Sequence, residues 1–125
     1  MQYPVYEDGD TFSYDFDGLK AMIDDVRPKI LLVASPNNPT GNALSIEEME
    51  RLVDMVPKDT VIIVDEAYAS FISNDASYIK SLIEKHDNIV VCRTLSKFYG
   101  LPGLRMGFGF VGKGEEMQRF CKYAN

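Results

Sequence analysis

VIIVD, Val61 to Asp65, is four β-branched residues in a row closed by a carboxylate. The run is too short for a buried helix and does not alternate as a half-exposed strand would. It therefore reads as a central parallel strand covered on both faces. ILLVA (30–34) and IVVCR (89–93) have the same character. Between the first two runs, SIEEMERLVDMV sets Ile46, Met49, Leu52, Val53 and Val56 on one helical stripe, and Ser45 with Glu48 makes a capping box. Between the second and third, SYIKSLIEKH gathers Ile79, Leu82 and Ile83 behind Ser77 as candidate N-cap. Upstream, FDGLKAMIDDV carries Phe16, Leu19, Ile23 and Val26 at helical spacing and is stopped at Arg27-Pro28. Downstream, MGFGFVG reads as a further strand and EEMQRFCKYAN as a helix. The order predicts an α/β fold, a three-layer α/β/α sandwich with a mainly parallel sheet and right-handed crossovers. YPVYEDGDTFSYD (3–15) supplies at most one short strand.

A chain of 125 residues, 46% hydrophobic, is about one domain with a real core. With 19 acidic against 13 basic residues and no run of Lys or Arg, a nucleic-acid partner is not expected. Apolar runs of only a few residues and an acidic start without a signal-peptide pattern predict a soluble, cytoplasmic protein and no membrane partner. Cys92 and Cys121 lack a CxxC or CxxH spacing and read as reduced packing residues, and His86 sits in the polar turn EKHDN. Metal binding and Cys/His catalysis both want more ligands than these.

Open parallel α/β sheets bind ligands beyond the carboxyl ends of their strands, so the segments there carry the chemistry. They are SPNNPTG (35–41), DEAY (65–68) and TLSKFYGLPGLR (94–105). In the first, two prolines and a glycine fix the backbone and leave the Asn37 and Asn38 amides to donate and accept; either Ser35-Pro36 or Asn38-Pro39 can take the cis form. In the second, Asp65 ends a buried strand, where a carboxylate calls for a facing cation or donor; capping the next turn is the simpler role open to it. Tyr68 can aim its phenol at the same ligand or be a core tyrosine. In the third, Thr94, Ser96, Lys97 and Arg105 put two hydroxyls and two cations around a glycine-bearing loop, a set suited to a phosphate plus a reactive amine. Arg105 and partial desolvation would lower the pKa of Lys97 and make it a better nucleophile. Together these are what a pyridine aldehyde phosphate needs: an acid for the ring nitrogen, donors for the ring hydroxyl oxygen, cation and hydroxyls for the phosphate, and a lysine for the imine.

SPNNPTG, VDEAY and TLSKFYGLPGLRMGF, in this order and spacing, resemble the fold-type I aminotransferases that use pyridoxal 5'-phosphate, histidinol-phosphate aminotransferases in particular. The resemblance implies that Lys97 forms the Schiff base and then shuttles the proton. It implies that Asp65 pairs with the pyridinium nitrogen and that Asn38 and Tyr68 contact the ring hydroxyl oxygen, with Thr94, Ser96 and Arg105 at the phosphate. It further implies an amino acid and a 2-oxo acid as substrates and a homodimeric parent. On this reading residues 1–125 are part of a large cofactor-binding domain, without the upstream phosphate-loop segment, its ring-stacking aromatic or the C-terminal small domain with its carboxylate-binding arginine. Tyr3 and Tyr6 do not stand in for the stacking residue. Such a piece is expected to bind cofactor weakly and turn over poorly; a folded, non-catalytic fragment is the alternative. A third reading takes VDEA as a nucleotide-driven motor's acidic strand, with GFGFVGKG (107–114) as phosphate loop, but Gly114 stands where Ser or Thr must bind magnesium and the order along the chain is reversed.

Overall fold

The computed structural model describes residues 6–9 and 11–123. Strands β1 (Tyr6–Asp8) and β2 (Thr11–Ser13) form an antiparallel hairpin, so the first segment holds two strands rather than at most one; Gly9 supplies the left-handed turn residue at φ 61°. Tyr3 lies outside the described residues, as do Ala124 and Asn125 at the far end. After helix α1 (Phe16–Val26) come β3 (Ile30–Ala34), α2 (Ile46–Met55), β4 (Val61–Asp65), α3 (Ser77–Lys85), β5 (Ile89–Thr94), β6 (Gly107–Val111) and α4 (Glu115–Tyr123).

The four main strands form one sheet in the order β3-β4-β5-β6. The first three are parallel, with Leu31 opposite Ile62 and Ile62 opposite Ile89; β6 returns antiparallel, with Phe110 opposite Val91. Three strands of continuous apolar residues thus became the parallel part. Side chains alternate across a strand. One set, Ile62, Val64, Ile89 and Val91, is fully buried in a cluster with Phe16, Leu19 and Ile23 of α1, Met49, Leu52 and Val53 of α2, and Ile79 and Leu82 of α3. The predicted helical stripes therefore supply the core on this face, except at their ends: Val26 at the end of α1 is 40% exposed and Ile46 at the start of α2 is 52% exposed, because the terminal turns run past the edge of the sheet. The opposite set is thinner in cover: on β3, Ile30 is 60% and Leu32 67% exposed.

Local chemistry sets the helix ends. Asp15 caps α1 by accepting from the Asp17 and Gly18 amides, and Arg27 ends it in the left-handed region ahead of Pro28. Ser45 and Glu48 form both halves of the capping box on α2. Ser77 is not the cap of α3: it is the first helical residue, and Asp75 Oδ1 accepts its amide hydrogen at 2.8 Å. An aspartate two residues earlier won because its carboxylate reaches the same orphan amide. The GFGFVGKG stretch is no phosphate loop, since Gly107 and Gly109 lie in the β6 ladder. Gly112 packs so tightly that a Cβ would stand 2.3 Å from the His86 carbonyl oxygen.

Candidate active site

Ser35, just past β3, is tied to the neighbouring strand end by its amide, which donates to Asp65 O at 3.0 Å, and its hydroxyl accepts the Leu44 amide at 2.9 Å. Both Ser35-Pro36 and Asn38-Pro39 are cis. Between them Asn37 is consumed by the loop: its backbone exchanges bonds with Asn42 and Gly41, and its Nδ2 donates to Thr40 Oγ1 at 2.6 Å. The expectation of two free amides is thus half corrected, because Asn37 holds the turn and Asn38 alone is presented. Asn38 Nδ2 stands 3.5 Å from Tyr68 Oη, at the edge of hydrogen bonding.

Asp65 ends β4 with an exposed side chain, and its Oδ1 accepts the Ala67 amide at 3.0 Å. The capping role is therefore real, and it occupies one oxygen. The expected facing cation is not there: among the described residues no ion pair reaches Asp65. The nearby strand-end guanidinium, Arg93, is bound to Glu66 instead. Beside Asp65 in the ladder, Cys92 has its thiol pKa pushed up, first by burial and then by the Asp65 charge. That makes it a packing residue, as its spacing predicted, and not a nucleophile.

The loop after β5 is built on Thr94, whose hydroxyl accepts the Ser96 amide at 3.1 Å and donates to Met106 O at 3.3 Å. Ser96 is half-buried and its hydroxyl makes no hydrogen bond among the described residues, so of the two it is the one left to meet a ligand. Lys97 Nζ lies 5.3 Å over the Tyr68 ring, within cation–π range. Its side chain is exposed, and Arg105 turns its Nη1 to Pro102 O at 3.1 Å within its own turn, so the expected pressing of Arg105 on a desolvated Lys97 is not found.

The fold therefore brings Asn38, Tyr68 and Lys97 together from three successive strand ends, places Asp65 on the middle strand, and leaves Arg105 on the rim of the third loop. Beside Asn38 and Tyr68 lies a cavity of about 270 Å³ that Pro36, Pro39, Phe71 and Ile72 also line. Three residues that sequence reasoning passed over form a buried, hydrogen-bonded group here. Glu66 is 3% exposed; its Oε2 accepts both Nε and Nη2 of Arg93 at 2.8 Å, and Tyr78 donates to its Oε1. Burial raises the Glu66 pKa, and Arg93 offsets part of that rise. The signal was present: opposite charges close two neighbouring buried strands, at Asp65-Glu66 and at Arg93.

A mixed α/β sheet of this order is that of the fold-type I pyridoxal 5'-phosphate enzymes, and the residues at its carboxyl ends fit that group: among the described residues Asp65 keeps one oxygen able to accept from a ring N–H, and Ser96 a hydroxyl able to donate to a phosphate. The chain belongs to the class I and II aminotransferase family, whose model matches residues 1–124. It is 44% identical over 108 residues to an aromatic amino acid aminotransferase of Rhodococcus erythropolis, covering 86% of this chain and 29% of that protein. It is 36% identical over 112 residues to a histidinol-phosphate aminotransferase of Listeria monocytogenes, covering 90% and 30%. A crystal structure of the histidinol-phosphate aminotransferase from Sinorhizobium meliloti in complex with pyridoxal 5'-phosphate superposes with a TM-score of 0.77 at 31% identity, over 94% of this chain and 31% of that one. The chain thus spans about 30% of the length of the relatives it matches.

Proposed function

We propose that residues 1–125 are part of the large cofactor-binding domain of an aminotransferase that moves an amino group between an amino acid, or a histidinol-phosphate-like amine, and a 2-oxo acid, and whose full-length form is a cytoplasmic homodimer. The observation that carries this reading is the convergence of Lys97 over the Tyr68 ring, with Asn38 at the Tyr68 hydroxyl, one loop away from Asp65. The cofactor supplies a protonated pyridine ring that accepts electrons from the substrate carbon. Lys97 would supply the amine for the cofactor's aldehyde, and its Nζ, when free, would hold and move the proton at the substrate carbon. Asp65 keeps the ring nitrogen protonated with the oxygen not used by Ala67. Tyr68 Oη and Asn38 Nδ2 hold the ring hydroxyl oxygen. Ser96 and Arg105 take the phosphate, with Thr94 shaping the loop rather than binding directly.

The exposed Lys97 and the bare β3 side chains favour a second reading for the 125-residue piece alone: it folds and binds cofactor weakly, without turnover. One experiment bears on both. Titrating the protein with pyridoxal 5'-phosphate should give a visible absorption band that Lys97→Ala abolishes. A parent without such a band, or a variant with the same band, would overturn the assignment of Lys97.

A further inference from the structure

We infer that Glu66 and Arg93, braced by Tyr78, are positioning residues that fix the separation between the acid on β4 and the lysine loop on β5; the inference rests on the cofactor reading above. Glu66 follows Asp65 directly, and Arg93 directly precedes Thr94. Side chains alternate along a strand, so Asp65 and Thr94 face the ligand side while Glu66 and Arg93 face the helices. There they share a cavity wall with Met49 and Tyr78.

The pairing runs past the end of the ladder. Asp65 is the last residue of β4 in register with β5, opposite Cys92, and the Glu66 amide then donates to Cys92 O at 2.8 Å. One residue further on, the carboxylate of Glu66 takes two donors of Arg93 on a single oxygen, and the other oxygen takes the Tyr78 hydroxyl from α3. Both side chains are nearly closed to water, at 2% and 11% exposure. The strand tips are thus locked by backbone and by charge on the helix side, while little holds them on the ligand side. Thr94 and Asp65 there spend their bonds on their own loops.

A planar ring spanning the two tips, with its nitrogen at Asp65 and its attachment point at Lys97, tolerates little change in their separation. A purely fold-stabilising pair would behave differently. Its replacement would weaken the protein everywhere, and cofactor affinity would fall only as folding does.

The test uses the full-length protein that carries this segment. The dissociation constant for pyridoxal 5'-phosphate, the visible band and the cofactor-free thermal midpoint are measured for the parent, Glu66→Gln, Arg93→Lys and the core control Leu52→Ala. Positioning predicts that Glu66→Gln weakens cofactor binding at least tenfold and alters the pH dependence of the bound band. Leu52→Ala, with an equal or larger drop in midpoint, should keep parent affinity and the parent pH profile. Should Glu66→Gln fail to fold, Arg93→Lys decides, since it keeps the charge but loses the paired donors. Affinity within twofold of the parent in a folded variant overturns the inference, as does a loss that Leu52→Ala reproduces. A parent that binds no cofactor overturns the cofactor reading and this inference together; binding by the parent with no effect at Glu66 or Arg93 removes only the inference.

Discussion

The two faces of one sheet differ more than any two elements of this molecule. On the helix side Ile62, Val64, Ile89 and Val91 are wholly buried, and even the charges there, Glu66 and Arg93, are paired. On the other side Ile30 and Leu32 stand in solvent, Asp65 meets no cation among the described residues, and Lys97 is exposed. The strands are the same; only the parity of the residue changes. One face is finished by helices drawn from the same 125 residues; the other buries Val90 but leaves the β3 side chains bare, and the candidate residues lie at its rim.

The sharpest way to break this comparison is at the open rim. On the proposed function, Lys97→Ala in the full-length protein should lower transamination by about 10² to 10⁴-fold, because the proposed proton carrier would be gone. Single-turnover rates would check it, and a rate near that of the parent would move the chemistry off this face. Asp65→Asn should slow proton transfer by roughly 10²-fold while cofactor stays bound, since a neutral amide no longer stabilises a protonated ring nitrogen.

The closed face is tested by stability. Leu52→Ala, at a residue 1% exposed, should cost about 2–5 kcal/mol in denaturant unfolding. Leu32→Ala in the 125-residue chain should stay within about 0.5 kcal/mol. A smaller effect separates two residues at the start of α3: Asp75→Ala should lower stability and Ser77→Ala far less, as read from the same unfolding curves.

The subtlest effect is in pH. Burial raises the Glu66 pKa above the ordinary 4.5, so the folded chain keeps that proton to higher pH than the unfolded chain does. Between the two values the folded state binds more protons, and the Glu66 contribution makes stability fall as pH rises through that window. Glu66→Gln should remove this decline. Unfolding midpoints across the carboxylate range check it, and an unchanged slope would show that Glu66 titrates alike in both states.

Much of this is readable in the sequence. The β-branched runs gave the parallel strands because continuous apolar residues suit only a strand covered on both faces. Phe16, Leu19 and Ile23, and Met49, Leu52, Val53 and Val56, form the core face of α1 and α2 because helical spacing fixes which residues share a side, whereas Val26 and Ile46 on the same stripes stay exposed at the helix ends. The places of Asn38, Asp65, Tyr68 and Lys97 at or just beyond strand ends are also legible in the sequence. Less so was what competes locally. Asp75 displaced Ser77 at a cap, Asn37 went to its own turn, and Arg105 bonded Pro102, because each choice depends on a reach of two or three ångströms that spacing does not encode. The antiparallel return of β6 was hidden for a related reason: its Gly-Phe alternation suits a strand in either direction.

By itself the sequence determined the periodicities, and with them the α/β class, the core stripes and the candidate chemistry. Tertiary structure alone decided which charge meets which. Glu66 rather than Asp65 took Arg93, because consecutive residues point to opposite faces and only the packed sheet defines which face is closed. An ion pair forms where both partners lose water together, and that location is a property of the assembled layers rather than of any stretch of chain.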